Sequence, residues 1–342
     1  MSTHGSSSAD QARVVVETLR PGIYRAAVAY PKPLDTVNCY LLTNSNAAVV
    51  VDTAAAPWEA TDHVGLLLAH AGVRPHEVKA IVLTHCHRDH ADGAAALQQL
   101  TGAPVVMHQA ERFTLAEADE RSRDSGALRA WMVRHGVPVE MAEEMAAAFR
   151  WTAPETGIKR NLVQDGDEIA VGSSRWLAVH TPGHTPGHMC LYEPGGGVLV
   201  TGDHVLPNES SNISVRPGQP YDPLGAYLRA LERVLALEPV LCLPGHGEPF
   251  GDLSLVVGHQ LQHHATRLDD VRGTLTHGSR TGFEVAAAIP WVQRSKRLAD
   301  LDERHRFLAF GETLAHLECL EARGEIQRHG TDPVAWRRRS QR

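Results

Sequence analysis

One short segment of the sequence concentrates side chains that bind metals. Within the six residues 85–90, HCHRDH, lie His85, His87, Asp89 and His90. Imidazole and carboxylate groups are the usual ligands of zinc and its first-row neighbours. The segment follows residues 80–83, AIVL, a short apolar run that predicts a buried strand. Because alternate residues of an extended loop share a face, His85 and His87 can reach one metal while Cys86 points away.

Three further candidate ligands follow, each in a turn after a strand-like run. His184 lies in HTPGHTPGH at 180–188, Asp203 ends VLVTGD at 198–203, and His246 lies in VLCLPGHG at 240–247. Loops that leave strand ends commonly carry chemistry on a rigid scaffold. Four such events in one chain predict a metal centre rather than a solvated histidine-rich turn.

The order of these motifs resembles the metallo-β-lactamase superfamily. Its pattern is His-x-His-x-Asp-His, then a lone His, an Asp and a lone His, and the resemblance covers roughly residues 13–258. It implies an α+β fold, a four-layer αββα sandwich with a metal pair at one edge of its two sheets. The implied ligands are divided between two metals: His85, His87 and His184 for the first, Asp89, His90 and His246 for the second, and Asp203 for both.

The resemblance also implies a reaction. The intact Asp89–His90 pair is similar to the binuclear hydrolase subgroup rather than to the β-lactamases themselves. The implied cofactors are two divalent metal ions, zinc first, with iron or manganese as alternatives. A hydroxide bridging two such ions forms near neutral pH and attacks an electrophilic carbon or phosphorus. Asp89 is the candidate catalytic residue, because it can orient this nucleophile or accept its proton. We therefore expect a metal-dependent hydrolase.

The substrate is predicted only as a class. The repeated Thr-Pro-Gly-His of residues 181–188 resembles the glyoxalase II-like branch, so a small-molecule thioester or ester is expected first. The alternatives are single-stranded RNA cut by an endoribonuclease, a lactone, an iron-dependent sulfur dioxygenase, and a binding protein without catalysis. Candidates for gripping a substrate carboxylate are Arg294, Lys296 and Arg297.

Composition agrees with a globular enzyme. Hydrophobic residues make up 43% and charged residues 21% of the 342 residues, and the net charge is −7. This charge argues against a general nucleic-acid binder, so RNA is not the favoured partner. The five cysteines are scattered, which predicts reduced thiols in a cytoplasmic protein. No apolar run approaches the ~20 residues that cross a bilayer, so no membrane association is expected.

Three regions are predicted along the chain. Residues 1–12 are a Ser-rich disordered tail, residues 13–258 the metallo-β-lactamase domain, and residues 259–342 a helical, winged-helix-like C-terminal domain. A helical insertion at about 110–154 is either a lid over the site or a packing element, and a homodimer through it or the C-terminal domain stays open. The basic residues 336–339, WRRR, are interpreted as a solvated tail, with a nucleic-acid contact as the alternative.

Neighbouring residues are predicted to support the ligands. A metal-binding imidazole needs a hydrogen-bond partner on its second nitrogen, and Asp52, at the end of an apolar run, is a candidate. The loop at 210–221 is expected to border the site, and His264 is interpreted as a helix-surface or domain-contact residue. The same supporting or structural role is expected for His180, His188 and His204.

Overall fold

The computed structural model describes residues 14–30, 36–53, 57–111, 125–148, 159–217, 222–292 and 294–339. The predicted tail at 1–12 and parts of the predicted insertion lie outside the described residues. The strands are β1 (Val14–Arg20), β2 (Ile23–Ala29), β3 (Thr36–Asn44), β4 (Ala47–Val51), β5 (Val78–Val82), β6 (Val105–His108), β7 (Arg160–Val163), β8 (Glu168–Val171), β9 (Ser174–His180), β10 (Met189–Glu193), β11 (Val198–Gly202), β12 (Leu241–Pro244), β13 (Arg280–Thr281), β14 (Ile326–His329) and β15 (Ala335–Arg338). The helices are α1 (Pro57–Ala71), α2 (Arg88–Ala91), α3 (Ala94–Thr101), α4 (Ser125–Arg134), α5 (Val139–Ala148), α6 (Pro223–Leu235), α7 (Leu253–Thr274), α8 (Gly282–Ala288) and α9 (Glu303–Ala322), with short 3-10 turns at Pro75–Glu77 and Leu298–Asp300.

Two sheets form the centre of the molecule. The first has the order β1-β2-β3-β4-β5-β6-β7; its first four strands are antiparallel and β4 to β7 are parallel. The second has the order β12-β11-β10-β9-β8, and only β11 and β12 pair in parallel. Parallel strands bring their carboxyl ends to one edge, and this is where β5, β11 and β12 deliver their loops.

Helices cover the outer faces of both sheets. Successive strand residues point to opposite faces, so Val49 and Val51 of β4 pack between the two sheets while Ala48 and Val50 face α1 and α3. A third core lies on the far side of the second sheet, where helices α4 to α9 cover it. The layers are therefore α, β, β and α, and the predicted α+β sandwich with additional helices is confirmed.

The helical insertion and the C-terminal region share this third core. Met132 of α4, Met145 of α5 and Phe310 of α9 belong to one continuous apolar cluster. The domain boundary predicted at residues 258/259 falls inside α7, which runs across it unbroken. The division into two domains stays a prediction, and the insertion serves at least to pack this layer.

The C-terminal region is less helical than the sequence indicates. A small antiparallel sheet of order β13-β15-β14 closes it. Trp336 of β15 is only 1% exposed and its ring stacks on that of His135, with centroids 5.9 Å apart. The interpretation of residues 336–339 as a solvated tail is therefore wrong for Trp336, because burying the indole stabilises the strand. No helix in the described part of the chain is long and apolar enough to span a membrane.

Candidate metal centre

The seven predicted ligands meet at one edge of the sandwich. They come from the loops that follow β9, β11 and β12 and from the loop and short helix α2 that follow β5. Their ligand atoms form three overlapping groups, within each of which every pair lies within 4.8 Å: His85, His87 and His184; His85, His90 and Asp203; and Asp89, His90 and His246. All seven residues are buried or half-buried. The chain thus brings together nitrogen and oxygen donors that are up to 161 residues apart in sequence, from 85 to 246.

The first group consists of three imidazoles. His87 Nδ1 lies 3.0 Å from His85 Nε2 and 2.7 Å from His184 Nε2. His87 can present Nδ1, and its neighbours Nε2, because α2 starts immediately after His87 and turns the chain at that point. Three ring nitrogens pointing at one position can hold a single divalent ion.

The group of Asp89, His90 and His246 contains a carboxylate in addition to imidazoles. His246 Nε2 lies 3.3 Å from His90 Nε2 and 3.4 Å from Asp89 Oδ2. His90 Nε2 and Asp89 Oδ2 are 3.9 Å apart. This group mixes two imidazoles with one carboxylate, again a donor set suited to zinc and its neighbours.

Asp203 lies between the group of three imidazoles and the group of Asp89, His90 and His246. Its Oδ2 is 3.5 Å from His184 Nε2 in one group and 3.5 Å from His246 Nε2 in the other. Its Oδ1 is buried, 3.4 Å from His90 Nε2, and accepts no hydrogen bond from the described residues. A buried carboxylate oxygen without a donor is costly unless a cation satisfies it. The residues present therefore fit divalent metal ions.

A glycine makes room for this carboxylate. A Cβ on Gly245 would lie 2.2 Å from Asp203 Oδ1 and 2.8 Å from His90 Cε1. Any larger residue at position 245 would therefore displace a ligand. The Pro-Gly-His sequence that ends in His246 therefore requires glycine at its middle position for steric reasons.

Asp52 orients one ligand and supports a second. Its Oδ2 lies 2.8 Å from His90 Nδ1, and its Oδ1 accepts a hydrogen bond from the Thr84 backbone N–H at 2.8 Å. The Thr84 hydroxyl lies between this carboxylate and His85 Nδ1, 3.0 Å away. Asp52 has a positive φ of 60°, an uncommon backbone conformation for a residue other than glycine. The sequence-based prediction for Asp52 is confirmed.

A buried polar cradle holds the last ligand loop. His246 Nδ1 lies 2.6 Å from the Thr36 carbonyl, which can only accept, so this nitrogen carries the proton and Nε2 faces the site. The Asn38 side chain donates to the Pro244 and Gly247 carbonyls at 2.9 and 2.8 Å. The Tyr40 hydroxyl also donates to Pro244, at 2.7 Å. These bonds fix the direction of the His246 ring.

The loop after Asp203 holds the imidazole-only group. His184 Nδ1 lies 3.0 Å from both the Asn212 carbonyl and the Ser211 hydroxyl. Arg216 Nη2 lies 3.3 Å from His87 Nε2. The prediction that this loop borders the site is confirmed for its described residues, which end at position 217. Nothing in the sequence distinguished Arg216 from other arginines.

Two of the three basic residues proposed from sequence to grip a substrate are engaged in other contacts. Arg294 forms an ion pair with Asp270, with nitrogen–oxygen distances of 2.8 and 3.1 Å. Arg297 donates to the Ala288 carbonyl at 3.0 Å. Lys296 is exposed in a turn of the C-terminal region. Arg216 is the arginine that contacts a candidate ligand.

The other histidines near the ligands have supporting positions. The Asp203 backbone N–H donates to His188 Nε2 at 3.1 Å, so the other nitrogen carries the proton and faces the Thr181 hydroxyl at 2.8 Å. His180 Nε2 lies 2.9 Å from the Pro186 carbonyl. Neither these two nor His204 belongs to a ligand group of the described residues.

A buried carboxylate, that of Glu111, fixes the turn that carries His184. Glu111 Oε1 accepts hydrogen bonds from the Thr185 hydroxyl and, at 3.1 Å, from the Gly187 backbone N–H. Cys86 is fully buried beside it, and burial together with the Glu111 carboxylate raises the pKa of the thiol well above its usual value. The cysteine belongs to no ligand group of the described residues, and a neutral thiol is a poor metal ligand. Sequence analysis missed Glu111.

The two groups differ in electrostatics. We call His85, His87 and His184 the imidazole-rich half, and Asp89, His90, His246 and the adjacent Asp52 the acid-rich half. Burial and the repulsion of neighbouring imidazoles hold the pKa values of His85 and His87 well below the ordinary value. Burial also opposes protonation in the acid-rich half, but the surrounding carboxylates outweigh it. They hold the pKa of His90 well above its ordinary value and raise that of His246 to about 10.

Known proteins resemble this chain along most of its length. A family model described as the metallo-beta-lactamase superfamily matches residues 33–246. The Probable metallo-hydrolase YqjP of Bacillus subtilis (strain 168) is 28% identical, over 88% of this chain and 93% of that protein. The human Acyl-coenzyme A thioesterase MBLAC2 is 27% identical, over 69% of this chain and 81% of that protein. The crystal structure of metallo-beta-lactamase family protein TTHA1429 from Thermus thermophilus is 31% identical with a TM-score of 0.76, covering 94% of this chain and 100% of the other.

Proposed function

The chain belongs to the metallo-β-lactamase superfamily and is a metal-dependent hydrolase, and we propose that it uses two divalent ions, zinc first, to hydrolyse a thioester or ester. The observation that carries the two-ion part is the position of Asp203. One of its oxygens lies 3.5 Å from a nitrogen of each half, which is the arrangement of a bridging ligand. The proposed ligands are His85, His87 and His184 for one ion, Asp89, His90 and His246 for the other, and Asp203 for both.

Two ions held by these residues would supply a water activated near neutral pH and would polarise a substrate carbonyl oxygen. Other residues of the chain hold the proposed ligands in position. Asp52 fixes His90, and the His188 imidazole fixes the Asp203 backbone. Restraint of this kind matters because catalysis depends on positions held to a fraction of an ångström.

Asp89 is the proposed catalytic residue. One of its carboxylate oxygens, Oδ2, faces His246 at 3.4 Å. Its side chain keeps 15% exposure, against 9% for Asp203, so it is the more accessible carboxylate of the centre. We assign to its remaining oxygen the orientation of the attacking water and the acceptance of its proton.

The substrate class draws support from the relatives. MBLAC2 is named an acyl-coenzyme A thioesterase, and its similarity extends over 246 residues. A thioester also fits the proposed chemistry, because its carbonyl needs only a water nucleophile and an oxyanion stabiliser. No serine or cysteine nucleophile is required, in keeping with the buried Cys86 thiol.

The proposal is tested first by metal content and then by substrate. Protein purified without added metal should contain close to two zinc-like ions per chain, and it should turn over thioesters or esters in a panel that also holds lactones and single-stranded RNA. One iron with oxygen-dependent turnover would overturn the hydrolytic part in favour of a dioxygenase. Cleavage of RNA or lactone alone would overturn the substrate class.

A variant pair separates the site from the scaffold. His87→Ala should lose metal and activity together. His76→Ala is the matched control, since His76 is exposed in the 3-10 turn before β5. A fully active His87→Ala protein that contains no metal would refute the proposed function.

A further inference from the structure

The loop at 210–217 connects the metal centre to the C-terminal helices. On one side, Ser211 and Asn212 meet His184 Nδ1, and Arg216 meets His87 Nε2. On the other side the same loop rests on α7 and α9. His184 of the imidazole-rich half therefore takes its orientation from a segment that has no regular secondary structure of its own.

Polar contacts dock this loop on the helices. The Ser210 hydroxyl lies 3.2 Å from His264 Nε2 of α7. The Val215 backbone N–H donates to the Gly311 carbonyl of α9 at 3.1 Å. Gln260 of α7 donates to the Leu206 and Glu209 carbonyls just before the loop, at 3.1 and 3.4 Å. The loop is thus tied to both helices at its start and near its end.

The direction of each hydrogen bond in this contact can be assigned. His316 Nδ1 lies 2.8 Å from the Glu312 carbonyl, which only accepts, so this nitrogen carries the proton. His316 Nε2 then accepts from His264 Nδ1 at 3.2 Å, and His264 Nε2 accepts from the Ser210 hydroxyl. Both rings are 1% exposed. With both imidazoles neutral, this chain of bonds runs in only one direction.

The close approach of α9 depends on a glycine. A Cβ on Gly311 would lie 3.0 Å from Ser214 Cβ and 3.4 Å from the Val215 carbonyl oxygen, so the loop would have to move. Glycine inside a helix costs about 1 kcal/mol relative to alanine. The helix accepts this cost at the one point where the loop crosses it. This steric contact is independent of the histidine contact and points to the same loop.

We propose that α7 and α9 set the affinity of the imidazole-rich half for its ion by fixing the loop at 210–217. Gly311, His264 and His316 are positioning residues, since they act on His184 only through this loop. The inference rests on the proposed ligand set. It gives the C-terminal region a part in metal binding, in addition to its part in the apolar core.

The test compares glycines inside two helices. Gly311→Ala and Gly311→Val should push the loop outward, while Gly258→Ala and Gly258→Val place the same side chains in α7 where nothing lies within 4 Å. Stepwise zinc affinities are measured by competition with a chelator. Hydrogen exchange of residues 210–217 is followed in the metal-free protein. Gly311→Val should weaken one of the two ions by roughly 10- to 100-fold, the range seen when support of a ligand is lost. It should also speed exchange in the loop, and the Gly258 variants should do neither.

A double variant identifies which ion is affected. Gly311→Val added to His184→Ala should cause no further loss, because both changes act on the same ion. Ser210→Ala, which removes only one hydroxyl, serves if Gly311→Val does not fold, and a smaller change in the same direction is expected. Unchanged affinities and exchange in a folded Gly311→Val protein, or in Ser210→Ala, would overturn the inference. Retention of both ions by His87→Ala would instead overturn the proposed function.

Discussion

The two halves of the metal centre are built in different ways. In the acid-rich half, Asp52 holds His90 from the end of β4, and the Thr36 carbonyl holds His246 from the start of β3. Both supports belong to the central sandwich. In the imidazole-rich half, His184 is held by the loop at 210–217, which itself rests on the C-terminal helices.

The electrostatic difference follows from the same construction. Strand ends supply the Asp52 carboxylate to the acid-rich half and place the shared Asp203 carboxylate beside it, so the imidazoles of this half favour a proton when no metal is bound. The other half gathers neutral rings under burial, with Arg216 at its border. The rigid edge of the sandwich offers fixed hydrogen-bond donors, which stabilise buried carboxylates. Neutral imidazoles cost less free energy to bury, so a loop is enough to support them. The comparison predicts that the halves respond separately to mutation.

Removal of ligands should have the largest effect. Asp203→Ala should lose both ions, because its carboxylate is within 3.5 Å of a nitrogen in each half. His246→Ala and His184→Ala should each lose one ion, and a different one, and all three variants should fall to background hydrolysis. Metal content by elemental analysis and stepwise zinc titration provide the measurements. Asp62→Ala, an exposed position on α1, is the control. If His246→Ala and His184→Ala weakened the same step, the separation of the halves would be wrong.

Acid should weaken the support of the imidazole-rich half. Burial lowers the pKa of His316 to about 4, although the nearby Glu312 carboxylate partly opposes this. Between pH 6.5 and about 4 the unfolded chain therefore binds a proton that the folded chain does not, so stability falls as the pH falls through this window. At about 1.4 kcal/mol per pKa unit, the part of the loss due to His316 reaches roughly 2 kcal/mol at pH 5. Urea unfolding of metal-free protein at pH 7 and pH 5 measures it.

His316→Gln tests the assignment of this pH dependence. Glutamine keeps a hydrogen-bonding group near His264 and cannot titrate, so the difference in unfolding free energy between the two pH values should shrink. His329→Gln, at an exposed position of β14, should leave the difference unchanged. An identical pH dependence in His316→Gln and the parent would contradict the prediction.

The fold could be predicted wherever local pattern carries the information. Apolar runs that end in turns located β5, β9, β11 and β12, the strands that precede the candidate ligands. The edge strand β7, RNLV, and the C-terminal strands β14 and β15, IQRH and AWRR, are short and polar. Only one inward residue in each of the last two, Ile326 and Trp336, is fully buried. Such strands are defined by pairing with partners distant in sequence, which a local pattern cannot express.

The same distinction between local pattern and long-range contact applies to the metal centre. The candidate ligands could be named because their residue types and their positions after strands are local features. Arg216 lies 129 residues from His87, and Ser210 lies 54 residues from His264. Glu111 sits 76 residues from the Gly187 that it binds. These supporting contacts exist only after the chain has folded, so they could not be predicted from one sequence.

Asp52→Asn should separate direct support from indirect support. The change removes the charge that faces His90 Nδ1 and weakens the contact through Thr84 to His85 Nδ1. We expect the affinity of the acid-rich half to fall roughly 10- to 100-fold, the usual effect of losing the partner of a metal ligand. The other ion should weaken less, because His85 is reached only through a hydroxyl. Asp62→Asn is the control, and equal losses at both steps would blur the distinction between the halves.

The smallest effect is expected from the cradle under His246. Tyr40→Phe removes a hydroxyl that donates to the Pro244 carbonyl at 2.7 Å, while the Asn38 amide still donates to the same oxygen. Because the acceptor keeps a partner, the stability loss should stay near the lower end of the roughly 0.5–1.5 kcal/mol of a typical hydrogen bond. The acid-rich ion should weaken a few-fold and the other not at all. Tyr192→Phe is the matched control, because its hydroxyl donates to the Leu237 carbonyl at 2.9 Å, between β10 and the end of α6. It should cost similar stability without changing either metal affinity. If Tyr40→Phe weakened only the binding of the ion in the imidazole-rich half, the contacts around the His246 loop would not support the acid-rich half. The proposed difference between the two halves would then be wrong.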